Sequence, residues 1–106
     1  LPVLEGAEET AAAGVLSPLQ PANARLRRAV HDQQAWVRDP RYALLFDPQT
    51  AGGLLASVPG KRAEACVAQL RARGYPHAAV IGRVLPQGDA LEPIRLRRVA
   101  GAHRRT

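Results

Sequence analysis

A stretch of helical periodicity at residues 61–73 stands between two short apolar runs, and that order constrains the fold more than any other feature of the chain. Ala63, Val67 and Leu70 recur on one face, Cys66 borders it, Glu64 falls in the first turn and Gly74 closes the helix. Leu54-Leu55-Ala56-Ser57-Val58, ended by Pro59-Gly60, reads as a buried strand. Residues 78–85 read as a second strand, interrupted by Gly82 and followed by the turn Pro86-Gln87-Gly88-Asp89. Residues 94–99 alternate Ile94 and Leu96 with Arg95 and Arg97 and predict a third. Strand, helix, strand in succession is solved by a right-handed βαβ unit on a mixed sheet. The expected fold class is therefore α/β (α+β), a mixed sheet with covering helices.

The first half supplies the helices. Val3, Leu4, Ala7 and Ala11 predict a helix over residues 1–13 with Gly14 as its stop. Residues 15–21 read as a loop, and Leu26 and Val30, four apart, predict a second helix over 22–31. Residues 32–40 are polar and turn-like, with Trp36 as their anchor. No repeat or low-complexity tract interrupts this order.

At 106 residues the chain suits one small domain, and 46% hydrophobic residues suffice for a core. Cys66 is the only cysteine, so an intrachain disulfide and a cysteine metal site are excluded. No apolar run approaches the roughly 18 residues that a membrane-spanning helix needs. A cytoplasmic protein with no membrane partner is expected. The chain lacks methionine and begins Leu1-Pro2, so it is expected to be an excised piece of a longer protein.

The formal charge is +6, and every basic residue except Lys61 is arginine. Arg95, Arg97, Arg98, Arg104 and Arg105 crowd the last positions, and residues 100–106 read as a basic tail. With only Trp36, Tyr42, Phe46 and Tyr75 as aromatics there is no stacking platform for bases, and nucleic acid is not an expected partner. His31, His77 and His103 have no metal-site spacing.

Asp47-Pro48-Gln49-Thr50-Ala51-Gly52-Gly53 follows the apolar run Ala43-Leu44-Leu45-Phe46. Pro48 fixes its own φ and biases Asp47 away from the helical region, so the chain turns there. Gly52 and Gly53 permit unusual dihedrals or close approach to another surface. A carboxylate, an amide and a hydroxyl within four residues could hold a metal-bound phosphate through Asp47, or an anion through Thr50 and backbone N–H groups. The same residue types also make ordinary turns, with Asp47 capping, Thr50 bonding locally and the glycines packing tightly. Residue types alone favour that plainer reading. The order is not that of a P-loop.

Leu45-Phe46-Asp47-Pro48-Gln49-Thr50-Ala51-Gly52-Gly53-Leu54-Leu55 resembles the Asp-Pro-Gln-Thr-Ser-Gly-Gly-Leu-Leu signature of the selenophosphate synthetase (selenide, water dikinase) family. Leu1-Pro2-Val3-Leu4-Glu5-Gly6-Ala7, residues 14–23, Gly74-Tyr75 and Ala79-Val80-Ile81-Gly82-Arg83-Val84 are similar to further family stretches, so the resemblance covers residues 1–85. Ala51 departs from the family serine; alanine keeps the small volume beside Gly52.

The resemblance implies a transferase of selenium metabolism. Its kinase chemistry makes selenophosphate, AMP and phosphate from ATP, selenide and water, with ATP and magnesium in the full-length parent. It implies a C-terminal domain over residues 1–99, partly ferredoxin-like, as in aminoimidazole ribonucleotide synthetase-like proteins. It also implies a separate N-terminal domain holding the nucleotide across a dimer interface. The family's reactive cysteine or selenocysteine and its lysine lie near the start of the full chain. Cys66 and Lys61 are not their equivalents, so no catalytic residue is expected here, the chain alone is expected to be inactive, and no cofactor is expected bound to it. The ligand-proximal loop is Asp47, Gln49, Thr50, Gly52 and Gly53. The family's Asp-Val-Thr-Gly-Phe-Gly element, which opens the domain, is absent, so the domain is expected to be truncated and to form homo-oligomers through an exposed sheet edge. The alternative is a non-catalytic dimerisation or regulatory module of the same fold, fused to an oxidoreductase.

Overall fold

The structure, a computed structural model, describes residues 1–49 and 52–98. Four α-helices are present among them: α1 (Ala7–Ala12), α2 (Gln20–Asn23), α3 (Pro40–Leu44) and α4 (Ala63–Ala72). Short 3-10 helices cover Ala24–Ala29, Gln33–Ala35 and Gly60–Arg62.

Two glycines stop helices where the sequence places the stops. Gly14 has φ 77° and Gly74 φ 96°, a left-handed conformation that costs glycine little. After α1 the Gly14 amide donates to Ala11 O at 3.0 Å and the Val15 amide to Thr10 O at 3.1 Å. After α4 the Gly74 and Tyr75 amides donate to Arg71 O and Leu70 O, both at 3.1 Å. Each pair is the two-bond Schellman closure, which satisfies carbonyls that the helix end would otherwise orphan. The first predicted helix is shorter than residues 1–13, because Gly6 at φ 79° turns the chain immediately before α1. The second, over residues 22–31, is mostly the 3-10 helix Ala24–Ala29.

Pro40 opens α3 at the one helical position where its missing N–H is no loss. Asp39 caps it, accepting from the Arg41 amide at 3.0 Å and from the Arg41 guanidinium at 3.2 and 3.0 Å. That hydrogen bonding, first of all from the Arg41 side chain, holds the Asp39 carboxyl below the usual aspartate range. A depressed folded-state value means the cap contributes fully above the unfolded value, near pH 4, and is lost as pH falls through the folded one. Unfolding titrations should therefore show Asp39→Asn costing on the order of 1 kcal/mol at pH 7 and converging on the wild type as acid protonates the folded-state carboxyl. A gap that persists unchanged in acid would refute this assignment.

The core lies in the first half. Val30, 3% exposed, packs with Tyr42 and Phe46, and Trp36 and Leu96 close over them. The Tyr42 and Phe46 rings meet edge to face at 5.1 Å. α1 packs on α3, and buried Gln20 ties α2 to α3 by donating to Ala43 O at 2.8 Å.

The expected mixed sheet, ferredoxin-like or otherwise, does not form among the described residues. Among the described residues the single β-bridge is parallel and joins Val30 to Ile94. Residues 54–58 and 78–85 make no backbone hydrogen bond to one another. Leu54 and Leu55 are 102% and 81% exposed, and Val84 is 84% exposed. An apolar run becomes a strand only when a neighbouring strand takes its backbone groups and another layer covers its face. A lone parallel pair supplies neither, because two-stranded pairs are marginal in water and parallel pairing is the weaker kind. The helix between them forms as predicted, since its bonds are local, but none of its residues is buried. The third predicted strand is reduced to the bridge at Ile94, and Val99 lies outside the described residues, as does the basic tail at 100–106. Leu54, Leu55, Val84 and Leu91 all stay exposed, so the second half offers apolar surface that nothing within the described residues covers.

Candidate functional site

Asp47 is placed by the end of α3. The Phe46 and Asp47 amides donate to Ala43 O and Leu44 O at 3.1 and 3.3 Å, which tightens the last turn. Phe46 is thereby buried in the core and the next side chain, Asp47, is turned outward. It lines a cleft of about 330 Å³ shared with Leu4, Glu5 and Gly6 from the turn before α1, with Thr10 and Ala11 of α1, and with Leu44. Gly6 bends the chain at the rim, and the Thr10 hydroxyl donates to Gly6 O at 2.7 Å, so that hydroxyl is already engaged.

The Asp47 carboxylate accepts no hydrogen bond from any of the described residues. Two carboxylates, Glu5 and Asp47, and no basic side chain line the cleft. A bare polyphosphate would be repelled by them. A phosphate carrying a divalent cation would not, because carboxylate oxygens suit such a hard ion.

The other loop residues do not converge on this cleft. Gln49, Gly52 and Gly53 are exposed and lie outside its lining, and Thr50 falls outside the described residues. Neither glycine uses a positive φ, so the freedom expected of them is not spent on backbone dihedrals. Close approach is realised at Gly52 alone, where the Gln49 side-chain oxygen occupies the space a Cβ would need. Around Gly53 that space is open. Glu5 was not legible as a site residue, because its place beside Asp47 depends on the packing of α1 against α3.

Elsewhere, His31 Nδ1 lies 3.5 Å from a Glu92 carboxylate oxygen. Cys66 is half-buried on α4, and Lys61 sits exposed in the 3-10 turn before it. Among the described residues no three His, Cys, Asp or Glu side chains gather as a metal site, and no helix is long and apolar enough to cross a membrane.

The sequence has clear relatives. The selenide, water dikinase of Clostridioides difficile (strain 630) is 34% identical over 93 residues, covering 84% of this chain and 26% of the relative. That of Agathobacter rectalis is 36% identical over 92 residues with the same coverage, 84% and 26%. A shorter match to the selenide, water dikinase of Pelobacter propionicus reaches 54% identity over 44 residues, 42% of this chain and 13% of the relative.

This chain belongs with the selenide, water dikinases.

It spans about a quarter of the length of the dikinases it matches. No family model matches it, and no solved structure matches its fold. The kinship read from the Asp47–Gly53 loop thus extends along most of the chain, whereas the sheet expected from that kinship is absent among the described residues.

Proposed function

We propose that residues 1–99 are the C-terminal part of an ATP-dependent selenide, water dikinase, with residues 100–106 as a basic tail. The parent is a cytoplasmic enzyme that converts ATP, selenide and water to selenophosphate, AMP and phosphate. The observation that carries this reading is the near-intact dikinase loop at residues 47–53, within a chain 34% identical to a dikinase over 84% of its length. The chain's partner is the N-terminal domain of the parent, which carries the nucleotide and the catalytic cysteine and lysine. The parent assembles as a homo-oligomer.

In this reading the chain contributes positioning groups. Asp47, with Glu5 across the cleft, would hold the magnesium that accompanies ATP, and the two carboxylates lining one cleft are the donor chemistry it needs. Magnesium supplies charge neutralisation for a transferring phosphoryl group. Gln49 and Thr50 would donate to the oxygens of phosphate or of the selenophosphate product. Gly52 and Gly53 keep the loop free of side chains where a ligand or the other domain approaches.

The test is AMP release dependent on both ATP and selenide, measured for the full-length parent and for these 106 residues separately. The parent should turn over and the chain alone should not. An inactive parent would move the reading to a non-catalytic dimerisation or regulatory module, which the alanine at position 51 also suits. Turnover by the chain alone would overturn the division of labour between the two parts.

A further inference from the structure

We infer that residues 92–98 form a strap that positions the Asp47 loop, with Leu96 as its positioning residue. The inference rests on the reading of Asp47 as the ligand-facing group. It concerns a segment that lies beyond the family-like stretches of residues 1–85.

The strap is fastened at four points. The His31 amide donates to Ile94 O at 2.8 Å, and the Ile94 amide donates to Ala29 O at 2.9 Å, so the backbone is gripped on both sides of Val30. Glu92 reaches His31 at 3.5 Å. Leu96 packs on the cluster of Val30, Tyr42 and Phe46. The Arg98 guanidinium lies 5.4 Å from the centre of the Trp36 ring, within cation–π range.

By contrast, the backbone of residues 52–91 makes no hydrogen bond to residues 1–49 among the described residues. The strap is therefore what returns the distal part of the chain to the helical core. Its alternation explains why it can do so: Ile94 and Leu96 fall on one side, and Arg95 and Arg97 on the other.

Leu96 presses on the cluster that holds Phe46, and Phe46 is the last buried residue before Asp47. One peptide separates the packed ring from the carboxylate. Removing the Leu96 side chain opens the core from outside and frees the end of α3, and with it the direction in which Asp47 points. Small misplacements of this kind matter because site groups act only within a narrow geometry.

Amide hydrogen exchange on the whole chain tests the strap directly. Leu96→Ala should speed exchange at Phe46 and Asp47 by about tenfold, leaving the α4 amides unchanged, and Leu96→Ile should restore the slower rates. Arg98→Gln leaves the core filled and should shift Trp36 fluorescence with an acceleration of about two- to fivefold at the same two amides. Unchanged exchange at Phe46 and Asp47 in both variants would overturn the inference. So would equal acceleration in α4, which would signal general loosening. Failure of the dikinase reading would appear in the AMP assay and would leave this exchange pattern intact.

Discussion

On the proposed function, Asp47→Ala in the full-length parent is expected to lower ATP- and selenide-dependent AMP release by on the order of 100-fold while leaving the protein folded. The side chain is exposed and accepts no hydrogen bond from the described residues, so its loss should change stability by no more than about 0.5 kcal/mol. Any large kinetic effect then reports contact with the ligand or its cation. Asp47→Asn keeps the shape and removes the charge. It should be nearly as damaging if the carboxylate binds a cation, and much milder if it only shapes the turn. Activity within about threefold of wild type in both variants, with unchanged circular dichroism, would remove Asp47 from the site.

The second large effect concerns stability. Phe46→Ala should cost about 3 kcal/mol or more, read as a lowered urea midpoint followed by Trp36 fluorescence. Val30, Tyr42 and Phe46 are the buried hydrophobic residues of the described chain, and the mutation removes one of the three. It also removes the edge-to-face partner of Tyr42, a contact contributing about 0.5–1.5 kcal/mol beyond area burial. Leu55→Ala is the matched control. Leu55 is also large and apolar, but it lies exposed in the chain alone and its loss should be nearly neutral. Equal costs at the two positions would mean that the core extends into residues 54–58. In the full-length parent the comparison carries further information, because a strong Leu55 effect there would show that the rest of the parent covers this surface.

Local chemistry was readable wherever neighbours in sequence settle the structure. Gly14 and Gly74 end their helices with Schellman closures because both bonds of that motif span five residues or fewer and the left-handed turn favours glycine. α4 forms on its own backbone bonds even without a buried face. The cap and proline of Asp39-Pro40 carried an equally local signal for α3, but the polarity of residues 32–40 made them read as a turn. Trp36 serves as an anchor as its isolation among polar residues suggests.

The dikinase loop and its kinship with a known enzyme were set by residue order alone. Burial was not. Residues 54–58 and 78–85 have the composition of buried strands, yet a strand is a relation between segments, and its partner cannot be read from the segment itself. Conversely, nothing in the local pattern at Val30 or Leu96 announced that these two would meet beside Phe46, more than sixty residues apart in sequence for the outer pair. The sequence by itself determined the helix stops at Gly14 and Gly74 and the kinship carried by the Asp47 loop, because those depend on dihedral preference and residue order. Only the tertiary structure decided which apolar residues form the core, that Glu5 shares a cleft with Asp47, and that Leu96 packs on the cluster holding Phe46, because long-range packing follows from which surfaces find a complementary face.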